Sequence, residues 1–266
     1  MEIDSVKLVY FSPTETTKAV AHGIAHGIDS SSIELVDLTT PSGREQSLLA
    51  AKDELLVVAV PVYMGRVPAL ATEWLKTIKA DNTPAVCVVV YGNRAYDDAL
   101  LELKDTVEKC GCIPIACGAY IGEHSFSNSD TPIAEGRPDK ADVTHAEEFG
   151  RKICEKLQAV SSLSQLSDVA VPGSYPYGGR TELWSVDFIA VNSTCTQCGS
   201  CADVCPVGAI DSQHSSIINH EKCITCCACI KSCPQGARTM KPSPVKEASE
   251  RLNNLCKDPK QPECFL

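Results

Sequence analysis

Residues 195–205 read CTQCGSCADVC and Pro206 follows; residues 223–233 read CITCCACIKSC and Pro234 follows. The four shared cysteines repeat at a constant offset of 28 residues, and the tails PVGAI and PQGAR carry the repeat further. Cys-x2-Cys-x2-Cys-x3-Cys-Pro, written twice, constrains the chain more than any other feature, because eight thiols at fixed spacing need a common partner. Thiolates are soft anionic ligands and suit iron in a sulfide cluster. Three cysteines spaced three residues apart can wrap one face of a small cubane. The fourth stands too far along the chain to close the same cubane comfortably. Disulfides would need an oxidising compartment, to which nothing in the chain points. Structural zinc usually takes two Cys-x2-Cys pairs, not a triple run ending in Cys-Pro.

The run is the ligand pattern of bacterial ferredoxins with 4Fe-4S clusters, and residues 190–240 resemble a two-cluster ferredoxin closely. In that family the fourth cysteine crosses to the other cluster. The resemblance therefore implies one cluster on Cys195, Cys198, Cys201 and Cys233, and a second on Cys223, Cys226, Cys229 and Cys205. Cys227 lies inside the second run but off its spacing, and reads as a small buried side chain beside the cluster. The chain has 16 cysteines, and the others show no framework spacing. The pair Cys110 and Cys112 reads as ordinary partly buried thiols.

Net charge is −10, and it is uneven: residues 1–189 carry −11 and residues 190–266 carry +1. Clusters held by thiolates add further negative charge. An acidic N-terminal region argues against nucleic acid and suits a basic docking partner, although solubility alone also accounts for it. The start MEIDSVKLVYF lacks the pattern of a signal peptide. No apolar run approaches the roughly 18 residues of a membrane helix. The cytoplasm of an organism with anaerobic metabolism is the expected setting, with no membrane insertion.

In the first half, SVKLVYF, IELVDL, ELLVVAVPVY, PAVCVVVYG and CIPIACGAYIG are strand candidates, three of them near-continuous apolar runs of the kind found in parallel strands covered on both faces. Helical patterns alternate with them: TETTKAVAHGIAHGI, PALATEWLKTIKA, AYDDALLELKDTVEKC and a last one from about Ala141 to Ala159, with a weaker SGREQSLLAAK crossover. Alternation implies right-handed β-α-β units. The expected fold class is α/β, a flavodoxin-like doubly wound sheet of five parallel strands in the order 2-1-3-4-5, followed by a small two-cluster ferredoxin domain.

Ligands of such sheets sit outside the carboxyl ends of the strands, where three loops stand out. SPTETT offers Ser12, Pro13, Thr14, Glu15, Thr16 and Thr17, with hydroxyls and a helix start that make a phosphate cradle. The same residue types also make a plain helix cap. The loop resembles the flavodoxin phosphate loop, except that Glu15 stands where flavodoxins usually have glycine, so its carboxylate has to point outward. PVYMGRVP places Val62, Tyr63, Met64 and Gly65 where flavodoxins wall the flavin ring. YGNRAYDD places Tyr91, Gly92, Asn93, Arg94, Tyr96 and Asp97 at the other ring face, with Tyr96 matching the stacking tyrosine. Ordinary packing is the plainer role for Tyr63 and Tyr96. FMN is the cofactor the three loops imply, while the absence of G-x-G-x-x-G leaves NAD binding here without support.

The long stretch GEHSFSNSDTPIAEGRPDKAD, residues 122–142, is of a length that is often functional. Together with FSPT, PVY, YGNR and the two cysteine runs, it makes most of the chain similar to flavodoxin–ferredoxin fusion proteins of anaerobic bacteria and archaea. That resemblance implies an FMN domain at 1–160, a Ser-, Pro- and Gly-rich linker at 161–189 that wraps one domain, a ferredoxin domain at 190–240 and a C-terminal helix and tail at 241–266. The ending PECFL looks like the family's, without a physical account of its role. His124 either donates a proton to a flavin or substrate or anchors its loop by hydrogen bonds. His22 and His26, four apart, read as a solvated helix face. Two functions fit. One is an electron carrier serving other redox proteins, a dimer being compatible with it. The other is a flavin-dependent reductase of a small substrate fed by the clusters. A redox or iron sensor fits less well.

Overall fold

A computed structural model of the chain describes Met1, residues 3–181 and residues 184–266. Glu2 of the expected first domain, and Glu182 and Leu183 of the expected linker, lie outside the described residues. Strand β1 (Ser5–Tyr10) leads into helix α1 (Thr16–Ile28) and strand β2 (Ile33–Asp37). A two-residue strand β3 (Leu49–Ala50) precedes β4 (Glu54–Pro61) and helix α2 (Ala69–Leu75). After the short β5 (Lys79–Ala80) come β6 (Thr83–Tyr91), α3 (Ala99–Lys109), β7 (Cys112–Ile121) and α4 (Lys140–Gln158).

With β3 and β5 paired to each other apart from the main sheet, the five long strands lie in the order β2-β1-β4-β6-β7, all parallel. This is the expected doubly wound order. β6 is buried along its whole length and β4 at all but Glu54, so the valine-rich runs sit where both sheet faces are covered. One face buries Val20 and Ile24 of α1 with Phe149, Ile153 and Leu157 of α4. The opposite face buries Trp74 and Leu75 of α2 with Leu100, Leu103 and Val107 of α3. Helix α4 is set by a capping box, Asp139 accepting from Ala141 N and Asp142 N while Asp142 accepts from Asp139 N.

Two expectations need correction. The weak crossover between β2 and β4 is not a helix: it holds a single 3-10 turn, Ser42–Arg44, then β3. Pro41 and Gly43 punctuate it too closely for a helix to propagate. The main sheet has six strands, not five. Its sixth comes from the C-terminal tail.

The second half is smaller. β8 (Ile189–Val191), α5 (Ser200–Asp203), α6 (Ala228–Lys231) and β9 (Arg238–Met240) are followed by α7 (Pro244–Leu255) and β10 (Glu263–Phe265). β8 and β9 pair antiparallel. β10 pairs antiparallel with β7 in the main sheet, which gives the PECFL ending its role. Ser243 caps α7 through Lys246 N, with Pro244 in the first turn where its missing N–H costs nothing.

The sequence repeat is a repeat in backbone too. α5 and α6 begin 28 residues apart, Gln197 and Thr225 both have φ of 55°, and Gly208 and Gly236 have φ of 57° and 56°. Gly199 and Cys227 are the matching left-handed positions that open the two short helices. Cys227 thus occupies a glycine-like place in the second copy.

The segment between the halves lies along α3. Ser174 N and Gly178 N donate to the Asp98 carboxylate, Tyr177 Oη to Asp105, and Lys104 pairs with Asp168 at 2.8 Å. Further contacts fasten the second half: Arg44 to Pro206 O, Lys231 to Glu123, Ser249 Oγ to Phe126 O at 2.9 Å, and Asn253 to Pro132 O at 2.6 Å. Among the described residues no helix is long and apolar enough to cross a membrane.

Candidate functional site: one cavity and two thiol pockets

A cavity of about 370 Å³ opens at the carboxyl ends of the parallel strands. It is within the range typical of small-ligand sites. Its floor is the loop from β1 to α1. Ser12 Oγ accepts from Lys18 N at 3.0 Å, which leaves its O–H free to donate. Thr17 is 1 % exposed and its Oγ1 has no hydrogen-bond partner. A buried orphan hydroxyl is costly, and here it borders the cavity beside the N–H groups that a helix start leaves unpaired. This end fits an anionic oxygen group. Glu15 has φ of 65°, the left-handed geometry that explains why glycine is usual at this place. Its carboxylate turns outward to Lys18, 2.6 Å away.

The loop after β4 contributes Val62, Tyr63, Met64 and Gly65. Arg66 fastens it with a two-pronged bond to the buried Glu102, at 2.8 and 2.7 Å, and Val67 N donates to the same carboxylate at 2.9 Å. The loop after β6 contributes Tyr91, Gly92 and Arg94. Gly92 has to be glycine, since a Cβ there would stand 2.2 Å from His124 Cδ2.

Four expected contact residues do not line the cavity. Glu15 faces out, as above. Asn93 instead holds the tail: its Nδ2 donates to Cys256 O and Asp258 O, and its Oδ1 accepts from Lys260 N. Tyr96 is buried edge-on against Tyr91 with its hydroxyl on Glu263, 3.0 Å away, so the tail strand draws it from the ring face where it was expected. Asp97 binds Arg94 and abuts Gly65.

Gly122, Glu123, Ser125 and Phe126 form another wall, with His124. His124 Nδ1 accepts from Phe126 N at 3.0 Å, so the ring proton sits on Nε2. Burial pushes its pKa down to about 4, with the Lys231 and Arg94 charges adding. The imidazole is neutral at ordinary pH. The loop reading could name His124 and Phe126. It could not name Trp184, Ile224, Thr225, Ala248, Arg251 and Leu252, which roof the cavity from the second half. Nothing in their local pattern marks them, because only tertiary packing brings them there.

The thiols gather in two pockets. One is lined by Cys195, Cys198, Cys201 and Cys233. The other is lined by Cys205, Cys223, Cys226 and Cys229, with Cys227 also present. In each set the cysteine that follows the x3 gap has crossed to the other run's triple. Ala209 N donates to Cys205 Sγ at 3.2 Å and Ala237 N to Cys233 Sγ at 3.3 Å, donors suited to a thiolate. Among the described residues no three His, Cys, Asp or Glu side chains are placed to hold a single metal ion. A cubane asks something different, four thiols around a space, and that arrangement is the one present. Burial pushes the Cys226 thiol up and Cys229 to about 12, so the pocket of Cys205, Cys223, Cys226 and Cys229 needs a cationic occupant to keep thiolates. Cys198 is exposed, and hydrogen bonds from Ser200 hold its thiol below the ordinary value.

Residues 188–234 match the family model described as a 4Fe-4S dicluster domain. No curated protein is significantly similar to the chain in sequence. Among solved structures it is similar to a flavodoxin from the domain Archaea, at 14% identity and a TM-score of 0.39, covering 58% of this chain and 99% of that one. It is similar to the rubredoxin oxygen:oxidoreductase of Desulfovibrio gigas at 14% identity and 0.43, covering 59% of this chain and 37% of that one. A flavodoxin of Fusobacterium nucleatum, bound to flavin mononucleotide, is similar at 14% identity and 0.39, covering 59% of this chain and 98% of that one. By strand order and matched segment, the chain joins a flavodoxin-like α/β unit to a 4Fe-4S dicluster segment.

Proposed function

We propose that the chain passes electrons between two 4Fe-4S clusters and an FMN held in the large cavity, in the service of other redox proteins in anaerobic metabolism. Bound FMN would supply exchange between two-electron and one-electron chemistry, each cluster carrying one electron. One observation carries the reading: Ile224 and Thr225, between Cys223 and Cys226, line the same cavity as Ser12, Thr14 and Thr17. The cluster on Cys205, Cys223, Cys226 and Cys229 is then the inner one. The cluster on Cys195, Cys198, Cys201 and Cys233 is the outer one. Tyr63 stands between cavity and inner pocket: burial raises its phenol well above the ordinary value, and Cys226 and Cys227 add to the shift. Ser12, Thr14, Thr16 and Thr17 would hold the phosphate. The loops at 62–65 and 91–94 would flank the ring.

A second reading, a flavin-dependent reductase of a small substrate, is favoured by the roof over the cavity and by His124 and Phe126 in its wall. A neutral His124 with its proton on Nε2 could donate a hydrogen bond to a bound group.

The test changes Thr14 and Thr17 together to Val, deleting two donors at nearly constant shape. Charge-assisted bonds of about 1.5–3 kcal/mol each predict at least a tenfold loss of FMN affinity, which needs only about 1.4 kcal/mol. In anaerobic rapid mixing with a one-electron donor, cluster bleaching should stay fast and flavin reduction disappear, returning with excess FMN. If the unmodified chain reduces its clusters but never its flavin, the series arrangement is wrong. Flavin reduction by NADH or NADPH with turnover of a small substrate would select the reductase.

A further inference from the structure

Arg238 is 2 % exposed, and among the described residues it forms no ion pair. Its Nη2 donates to Ser215 O, while Nη1 has no partner. Ser215 is equally buried, and its Oγ is also unpartnered. Both residues line the outer pocket, beside Cys195, Cys198, Cys201 and Cys233. Burying a guanidinium without an anion is strongly unfavourable, and so is burying a hydroxyl without a partner. An iron–sulfide core with four thiolates carries net negative charge and sulfur acceptors. It would satisfy both orphans at once.

The other pocket has no counterpart. The residue 28 positions before Arg238 is Ile210, which lines the inner pocket with Phe188, Ile189, Ile218 and Ile224. Two copies of one motif therefore give their clusters opposite surroundings, a buried cation and hydroxyl in one, apolar side chains in the other. Reduction of either cluster takes one electron from a donor and adds one negative charge, with no bond made or broken. Nearby positive charge, hydrogen bonds to sulfur and solvent exposure are among the factors that tune such a couple. Exposure adds to the contrast, because Cys198 is exposed and Cys226 is buried.

We infer that the outer cluster has the higher reduction potential of the two, and that Arg238 and Ser215 set it apart. This deepens the electron-transfer reading and rests on the cluster assignment made there. Arg238 lines the outer pocket and is absent from the lining of the inner one, so its charge bears more strongly on the outer couple. An electron on the clusters then rests at the exposed end, away from the cavity, which makes the outer cluster the port for a one-electron partner.

The experiment is a potentiometric titration of the intact, anaerobically loaded chain, followed by electron paramagnetic resonance. Cys198→Ser identifies the outer couple as the midpoint it displaces, which must be the higher one. Arg238→Met should lower that midpoint by at least tenfold in reduction constant, about 59 mV for a one-electron couple, and move the lower one less. Arg238→Lys should keep part of the gap, and Ser215→Ala should lower the higher midpoint by roughly twofold in reduction constant. If the Met variant loses iron, the Lys and Ala variants carry the test, and both must lower the higher midpoint. A loaded Arg238→Met chain with that midpoint unchanged, or with the lower one moving further, overturns the inference. Iron and sulfide missing from the unmodified chain would instead refute the cluster assignment beneath it.

Discussion

The two cysteine runs fold alike and are placed unlike. Their short helices and left-handed turns match across the 28-residue offset. Around the first run, Thr196, Gln197 and Cys198 are exposed. At the matching places in the second, Ile224 is half-buried and Thr225 and Cys226 are buried. Asp203 of α5 lies open to solvent, whereas its counterpart Lys231 in α6 binds Glu123 in the cavity wall. The motif fixes which chemistry a run can hold. What packs against it fixes which job that chemistry does.

The sharpest way to break this contrast is to damage one cluster at a time. Cys205→Ser should cost the inner cluster, although Cys205 lies in the first run, and with it the cavity wall at Ile224 and Thr225. FMN affinity should then fall at least tenfold, about 1.4 kcal/mol. Cys198→Ser should leave FMN affinity within about twofold. Equal losses in the two variants, read by flavin fluorescence on titration with FMN, would refute the inner and outer assignment.

A middle-sized effect concerns pH. His124 has a folded pKa near 4, against an ordinary value of about 6.5. Between those values the unfolded chain binds the extra proton, so stability is full above about pH 6.5 and is lost as pH falls toward 4. Burial is the main cause, with Lys231 from the second run and Arg94 adding to it. His124→Gln should flatten this part of the stability curve. Lys231→Gln should shift the loss to lower stability change, because His124 then titrates nearer its ordinary value. Thermal unfolding from pH 8 to 5 measures both, and superimposable curves for all three proteins would exclude His124 as the source.

The smallest effect is at Cys227. It faces the inner pocket but matches Gly199, which has no side chain to offer. Cys227→Ser and Cys227→Gly should each keep the full iron and sulfide content. A cluster lost from the serine variant alone would make Cys227 a ligand.

Much of this was legible in the sequence for particular reasons. The strands declared themselves because valine-rich runs buried on both faces have few alternatives, and the thiol sets because the repeated run resembles that of two-cluster ferredoxins, where the fourth cysteine crosses over. The cavity floor was legible because hydroxyls at a helix start are a local signal. Tyr96 was misplaced because its partner, Glu263, lies 167 residues away. The roof residues and Arg238 were missed for the same reason: Arg251 on a helix and Arg238 after a cysteine run look like ordinary surface charge until the fold shows one over the cavity and the other buried.

The pairing of β10 with β7 makes the iron–sulfur half an insertion, not an appendage. The chain leaves the main sheet after β7 and α4, builds both cysteine runs, and returns to the same sheet at residues 263–265. Asn93 latches the returning strand through Cys256, Asp258 and Lys260. A unit tethered at both ends cannot swing as one on a single leash would. Spacing between cavity and inner pocket becomes a constant of the fold, and on the proposed electron-transfer reading the internal transfer rate at given potentials is then a constant too. On the proposed electron-transfer reading, what is left to vary is how often a partner arrives at the exposed loop around Cys198.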